Sequence, residues 1–187
     1  MNSPTSYRGF LLAAMPSLDG TTFERSVIYV CEHQPEGAVG LIINQPLHYS
    51  LRFMFDQLQI HSDDAKQKNQ PLLFGGPIQP ERGFVIHRPF GEWRSSLLLA
   101  DDVTITTSND IIRAIANNKG PSDVLVILGF VAWGEGKLDQ EIKDNQWLVC
   151  PYQPELLYET PFEERWKKAP ESLGVHVNQL IGKAGHA

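Results

Sequence analysis

The order of segments along this chain predicts an α+β fold, and three observations carry that prediction. Strand-like and helix-like stretches follow one another without the steady strand–helix–strand alternation of a doubly wound sheet. Fifteen glycines and 13 prolines in 187 residues favour many turns and short elements over long helices. Residues 123–133 form a near-continuous apolar run, as expected of a central strand covered on both faces.

The elements can be read in order. Residues 10–15 are a short apolar run stopped by Pro16, which predicts a buried strand, and Ser17-Leu18-Asp19-Gly20 then reads as a turn. Residues 26–33 are rich in Val, Ile and Tyr, and strand alternation puts Val27, Tyr29, Cys31 and His33 on one face. Pro35-Glu36-Gly37 reads as a turn, so residues 38–44 can return as the second arm of a hairpin. Leu51, Met54, Phe55 and Leu58 recur at helical spacing behind Ser50, a suitable N-cap. Residues 61–70 are polar without periodicity and read as an exposed loop.

Residues 72–74, 83–88, 93–100 and 103–107 read as strands. Ser108 is placed to cap a short helix that turns Ile111, Ile112 and Ile115 inward and ends by Gly120-Pro121. Within the central run, Gly129 marks a bulge or a close backbone approach. Leu138 and Ile142 predict a one-sided helix over 137–145, with Glu135, Asp139 and Glu141 as its solvated, dipole-favoured start. Trp147-Leu148-Val149-Cys150 follows as a strand stopped by Pro151. Thr160-Pro161-Phe162-Glu163 has the spacing of a capping box, with Phe162 and Trp166 on the buried face of the helix it opens.

A chain of this length fits one domain spanning 1–187, and 42% hydrophobic residues suffice for a sizeable core. The net charge of -6, with no basic cluster, argues against non-specific attraction to nucleic acid or to an anionic membrane. No apolar stretch approaches the ~18–20 residues of a membrane span, and no signal peptide is legible. Two cysteines form no disulfide framework and no metal-site spacing. A cytoplasmic protein with reduced thiols, without cofactor or metal, is the expectation.

Several residues could carry chemistry. Cys31 and His33 offer a thiol and an imidazole at i and i+2, which suits a shared ligand or a thiol–imidazole pair; the plainer alternative is a packed Cys with a His at a strand end. Gly75-Gly76-Pro77 after a strand could present backbone N–H groups as an anion-binding nest, or be a tight turn. His87 ends a strand and could act as an acid, a base or a hydrogen-bonding group, or simply be satisfied by a carbonyl. Asn44 offers both hydrogen-bond senses to a ligand, or closes a turn before Pro46. Trp133, beside Gly134-Glu135-Gly136, is either a stacking surface or a buried indole. Asn44, Gly75, Gly76, His87 and Trp133 are therefore the candidate ligand-binding residues, and no catalytic set is legible.

The motifs Ala14-Met15-Pro16-Ser17-Leu18-Asp19-Gly20, Phe23-Glu24-Arg25-Ser26-Val27, Cys31-Glu32-His33, Gly37-Ala38-Val39-Gly40, Asn44-Gln45-Pro46, Phe74-Gly75-Gly76-Pro77 and Gly83-Phe84-Val85-Ile86-His87 resemble, in that order, the YqgE/AlgH family of bacterial proteins. The likeness continues through Leu128-Gly129-Phe130, Trp133-Gly134, Glu141-Ile142 and Trp147 to Leu173-Gly174 and Gly185-His186-Ala187. The family commonly has Gln and Glu where this chain has Lys137 and Asp139. The resemblance implies a small closed β-barrel with a branching sheet surrounded by helices. It implies no established activity, and it brings a label of transcriptional regulation. The leading expectation is a cytosolic binding or regulatory protein with an unknown protein or small-molecule partner, as a monomer or weak homo-oligomer. One alternative is an enzyme using His87 and Cys31/His33; the other is a regulator acting directly on DNA, which the acidic charge opposes.

Overall fold

The computed structural model describes residues 6–100 and 102–183; Gly185-His186-Ala187 lie outside the described residues. The chain divides into two compact units. One holds the described residues up to Gln45 and from Phe130 onward, and the other is Pro46–Gly129.

The first unit is an antiparallel sheet. Strands β1 (Leu11–Ala14), β2 (Val27–Gln34) and β3 (Gly37–Ile42) stand beside one another. β1 is buried at all four positions, as its apolar run requires. Between Val30 and Glu32 the β2–β3 register shifts, which leaves Cys31 as the extra residue of a β-bulge. The bulge corrects the expected alternation, because a two-residue period does not survive an inserted residue.

In the second unit, β4 (Pro46–Ser50) leads into helix α1 (Leu51–Gln57). Ser50 holds the N-cap position without a side-chain hydrogen bond. The expected loop over 61–70 contains a short helix, α2 (Ala65–Lys68). Asp64 caps it, accepting the Gln67 N–H at 3.1 Å. Then come β5 (Pro71–Phe74), β6 (Ile78–Arg88), β7 (Ser96–Ala100), β8 (Val103–Thr106) and α3 (Asp110–Ala116). Strands β6, β8 and β7 pair antiparallel in that order, with β8 in the middle. The core of this unit gathers Leu51 and Phe55 of α1, Leu72, Val85, Val126 and the inward isoleucines 111, 112 and 115.

Strand β9 (Asp123–Gly134) runs through both units. Residues 126–128 pair in parallel with β5, and residues 131–134 pair antiparallel with β3. The predicted central strand is thus the branch point of the sheet. Gly129 stands at the branch with φ +78°; a Cβ there would lie 2.3 Å from the Gly76 carbonyl oxygen. Only glycine accommodates both the left-handed backbone and that approach.

The first unit ends with α4 (Lys137–Lys143), β10 (Trp147–Cys150), α5 (Pro154–Tyr158), α6 (Phe162–Lys168) and α7 (Val177–Lys183). The capping box at Thr160 does not form. Thr160 donates its hydroxyl to the Glu155 carbonyl at 3.0 Å, and Pro161 takes the N-cap position of α6. The strand path among the described residues runs β10-β1-β2-β3-β9-β6-β8-β7 and does not return to its start. The α+β class stands, but the sheet is open, which corrects the closed barrel. Closure needs hydrogen bonds between the first and last strands, and β10 and β7 have none.

Candidate functional site

The residues singled out from sequence fall in both units. In the first, Asn44 uses both sides of its amide internally: Nδ2 donates to the Arg25 carbonyl and Oδ1 accepts the Val27 N–H, each at 2.9 Å. It fastens the turn that starts β2. Trp133 is buried, and its indole N–H donates to Glu141 Oε2 at 2.8 Å. Trp147 donates to the same oxygen at 2.9 Å, and the two indoles meet edge to face. Glu141 is therefore a clamp on two tryptophans rather than part of a solvated helix start. Asp139 likewise accepts from His33 Nε2 at 3.2 Å, while His33 Nδ1 accepts the Tyr7 N–H at 2.9 Å. Both ring nitrogens of His33 are thereby engaged. Burial pushes the Cys31 thiol up to about 12, partly offset by Arg8. A thiol so perturbed is a poor nucleophile near neutral pH.

In the second unit, the Gly75 N–H donates to the Leu128 carbonyl at 2.8 Å. A Cβ on Gly75 would stand 2.3 Å from both the Gly129 carbonyl oxygen and Ile127 Cγ2. Gly75 thus lets β5 and β9 approach closely. His87 is 0% exposed. Its Nδ1 lies 3.0 Å from the Pro89 carbonyl, which can only accept, so the proton sits on Nδ1. Nε2 then accepts from the Thr106 hydroxyl at 2.8 Å, and Thr106 accepts from Ser96 at 2.7 Å. Burial lowers the His87 pKa, with the Pro89 bond opposing. The ring is held neutral as one link of a closed chain.

The same unit contains a groove that the sequence reading missed. Its volume is about 510 Å³, within the ~300–1,000 Å³ range of small-molecule pockets. Apolar lining comes from Met54 and Leu58 on α1, Phe84 and Val85 on β6, Ile112 on α3 and Leu128 on β9. Tyr49 and Phe53 also line it; each is 45% exposed, and their rings lie 4.8 Å apart. Gly83 lines it without a side chain. The polar lining is Gln57, Glu81, Thr106, Thr107, Ser108 and Asn109. A weak signal existed in sequence: Phe53 lies off the Leu51–Phe55 stripe, an aromatic on the exposed side of a helix.

Among the described residues, no group of three or more His, Cys, Asp or Glu side chains is placed to hold a metal ion. No helix among them is long and apolar enough to cross a membrane.

A family description, AlgH-like, matches residues 11–178. A UPF0301 protein of Legionella pneumophila (strain Corby) is 60% identical over 183 residues, covering 98% of each chain. Another from Thioalkalivibrio sulfidiphilus is 44% identical over 187 residues, covering all of both. The solution structure of the AlgH protein from Pseudomonas aeruginosa superposes with a TM-score of 0.80 at 37% identity, over 100% of this chain and 99% of that one. Protein DIP2367 from Corynebacterium diphtheriae shares the fold, with a TM-score of 0.69 at 21% identity over 90% of this chain and 87% of its own. Full-length coverage at such identities leaves one conclusion: the chain belongs to the AlgH-like family.

Proposed function

We propose that this chain is a cytosolic binding protein without catalysis, and that its partner docks in the groove of the Pro46–Gly129 unit. The observation that supports this is the exposed ring pair Tyr49/Phe53 beside a mainly apolar groove. Aromatic surface left in water beside a concave apolar lining is the usual composition of a binding site. The free thiols of Cys31 and Cys150 suit a reducing compartment. Asn44, Gly75, Gly76, His87 and Trp133 serve in this reading as the frame. The engaged nitrogens of His87 and His33 and the raised Cys31 pKa favour binding over acid–base or thiol catalysis. The net charge of -6 favours a partner other than DNA.

The test uses Nile red, a neutral apolar dye. Its fluorescence should rise with the wild-type protein. Phe53→Asp removes an exposed ring, and Gly83→Leu adds a side chain where a Cβ meets nothing closer than Met54 Cε at 3.6 Å. Both variants should lose dye binding while keeping the wild-type melting temperature within a few degrees. Equal binding by wild type and both variants would remove the groove from consideration. A Cys31 that reacts within seconds with a thiol reagent at pH 7 would restore the enzyme alternative.

A further inference from the structure

We infer that the occupant of the groove is an apolar segment of a protein partner carrying a lysine or arginine that faces Glu81; this rests on the groove being the binding site. Charge gives the first argument. Glu81 is the one charged residue among those lining the groove, and it is exposed. No cation lines it. The neighbouring Arg82 holds its guanidinium 5.2 Å from the Phe84 ring centroid, in a cation–π contact. A fatty-acid carboxylate, a phosphate or an acidic peptide would meet a like charge at Glu81, whereas a basic side chain finds a partner there.

The neutral polar groups give the second argument. Gln57, Thr107 and Asn109 make no side-chain hydrogen bonds within the described residues, and all three line the groove. Amides and hydroxyls offer donors and acceptors together. A peptide backbone presents both as well, once per residue, and a hydrocarbon chain presents neither. The third argument is the open side. Tyr49 belongs to β4, which pairs with β5 alone, and with Phe53 it leaves aromatic surface in water. An enclosed small molecule would leave that surface uncovered, while a longer segment extends over it.

Three probes separate the possibilities, measured on the full chain at roughly 0.15 M salt so that long-range attraction is screened. Two are fluorescein-labelled 12-residue peptides with identical Leu and Phe positions, one with Lys and the other with Glu at its polar positions. The third is dodecyl maltoside, neutral and non-peptidic. The Lys peptide should bind about three- to fivefold more tightly than the Glu peptide, the size a rim ion pair supports. Glu81→Lys should reverse that preference, and Phe53→Asp should weaken both peptides. Equal affinity for the two peptides overturns the inference. So does a preference unchanged by Glu81→Lys, which would reflect only the chain's overall acidity. Displacement of Nile red by dodecyl maltoside with no binding of either peptide overturns the inference and makes the occupant a hydrocarbon. Nile red binding without peptide binding defeats this inference alone, and absent Nile red binding defeats the groove itself.

Discussion

The two compact units treat their aromatic and polar side chains in opposite ways. In the unit built on β1, β2, β3 and β10, indole and cation donors are satisfied inside. Trp133 and Trp147 share Glu141, Trp166 donates to the Ala14 carbonyl at 2.8 Å, and the buried Arg165 donates to the carbonyls of Thr160 and Ile43. In the Pro46–Gly129 unit, large apolar groups remain in water. Of the eight exposed large apolar side chains among the described residues, six belong to it: Tyr49, Phe53, Ile78, Phe90, Leu97 and Leu98. The first arrangement stabilises a frame, because each of these buried indole N–H groups has an acceptor. The second leaves surface whose burial is still to be gained by a partner.

The largest effect is expected in the core of the second unit. Val126 is nearly fully buried in the core cluster of this unit, and it also lines the groove. Val126→Asp places an unpaired charge there, at a cost of several kcal/mol. We expect no soluble folded protein; a soluble V126D chain with the wild-type melting temperature would refute the central role of β9.

A smaller effect is expected in the frame. Glu141→Ala strands two indole N–H donors, each worth about 1–3 kcal/mol when left unsatisfied, so a loss of roughly 2–6 kcal/mol in urea unfolding is expected. Glu141→Gln keeps an acceptor oxygen and should retain most of the stability. If Glu141→Ala unfolds with the wild-type urea midpoint, the clamp contributes nothing to the frame.

The smallest effect concerns the neutral His87. Its folded pKa is lowered by burial, whereas the unfolded side chain titrates near ~6.5. Above that pH both states are neutral and the full stability is present. Below it the unfolded chain binds a proton that the folded chain resists, so stability falls as pH drops towards the folded value. The slope difference between wild type and His87→Asn should be at most about 1.4 kcal/mol per pH unit, seen only on the acid side. Identical acid-side slopes would mean that His87 is not held neutral.

Local pattern was legible wherever one segment's chemistry decides the outcome. The buried run of β1, the inward isoleucines of α3, the apolar length of β9 and the close approach at Gly129 all follow from residue type and spacing. The outcome differs from the local pattern where a group outside the element competes. Thr160 donates to the carbonyl of Glu155 rather than capping α6, and Glu141 turns to two indoles rather than to solvent. Cys31 is displaced by a bulge that depends on β3 as much as on β2.

Contiguous residues sufficed for the α+β class, most of the element order and the net acidic charge. Periodicity, turn chemistry and charge are properties of contiguous residues, so they can be read without a fold. Tertiary structure alone decided that the sheet stays open, that His87 is locked between Pro89 and Thr106, and that a groove exists. The groove takes its lining from β4, α1, β6, α3 and β9, whose residues run from Tyr49 to Leu128. A concavity is a property of the space between elements, and no single segment records it.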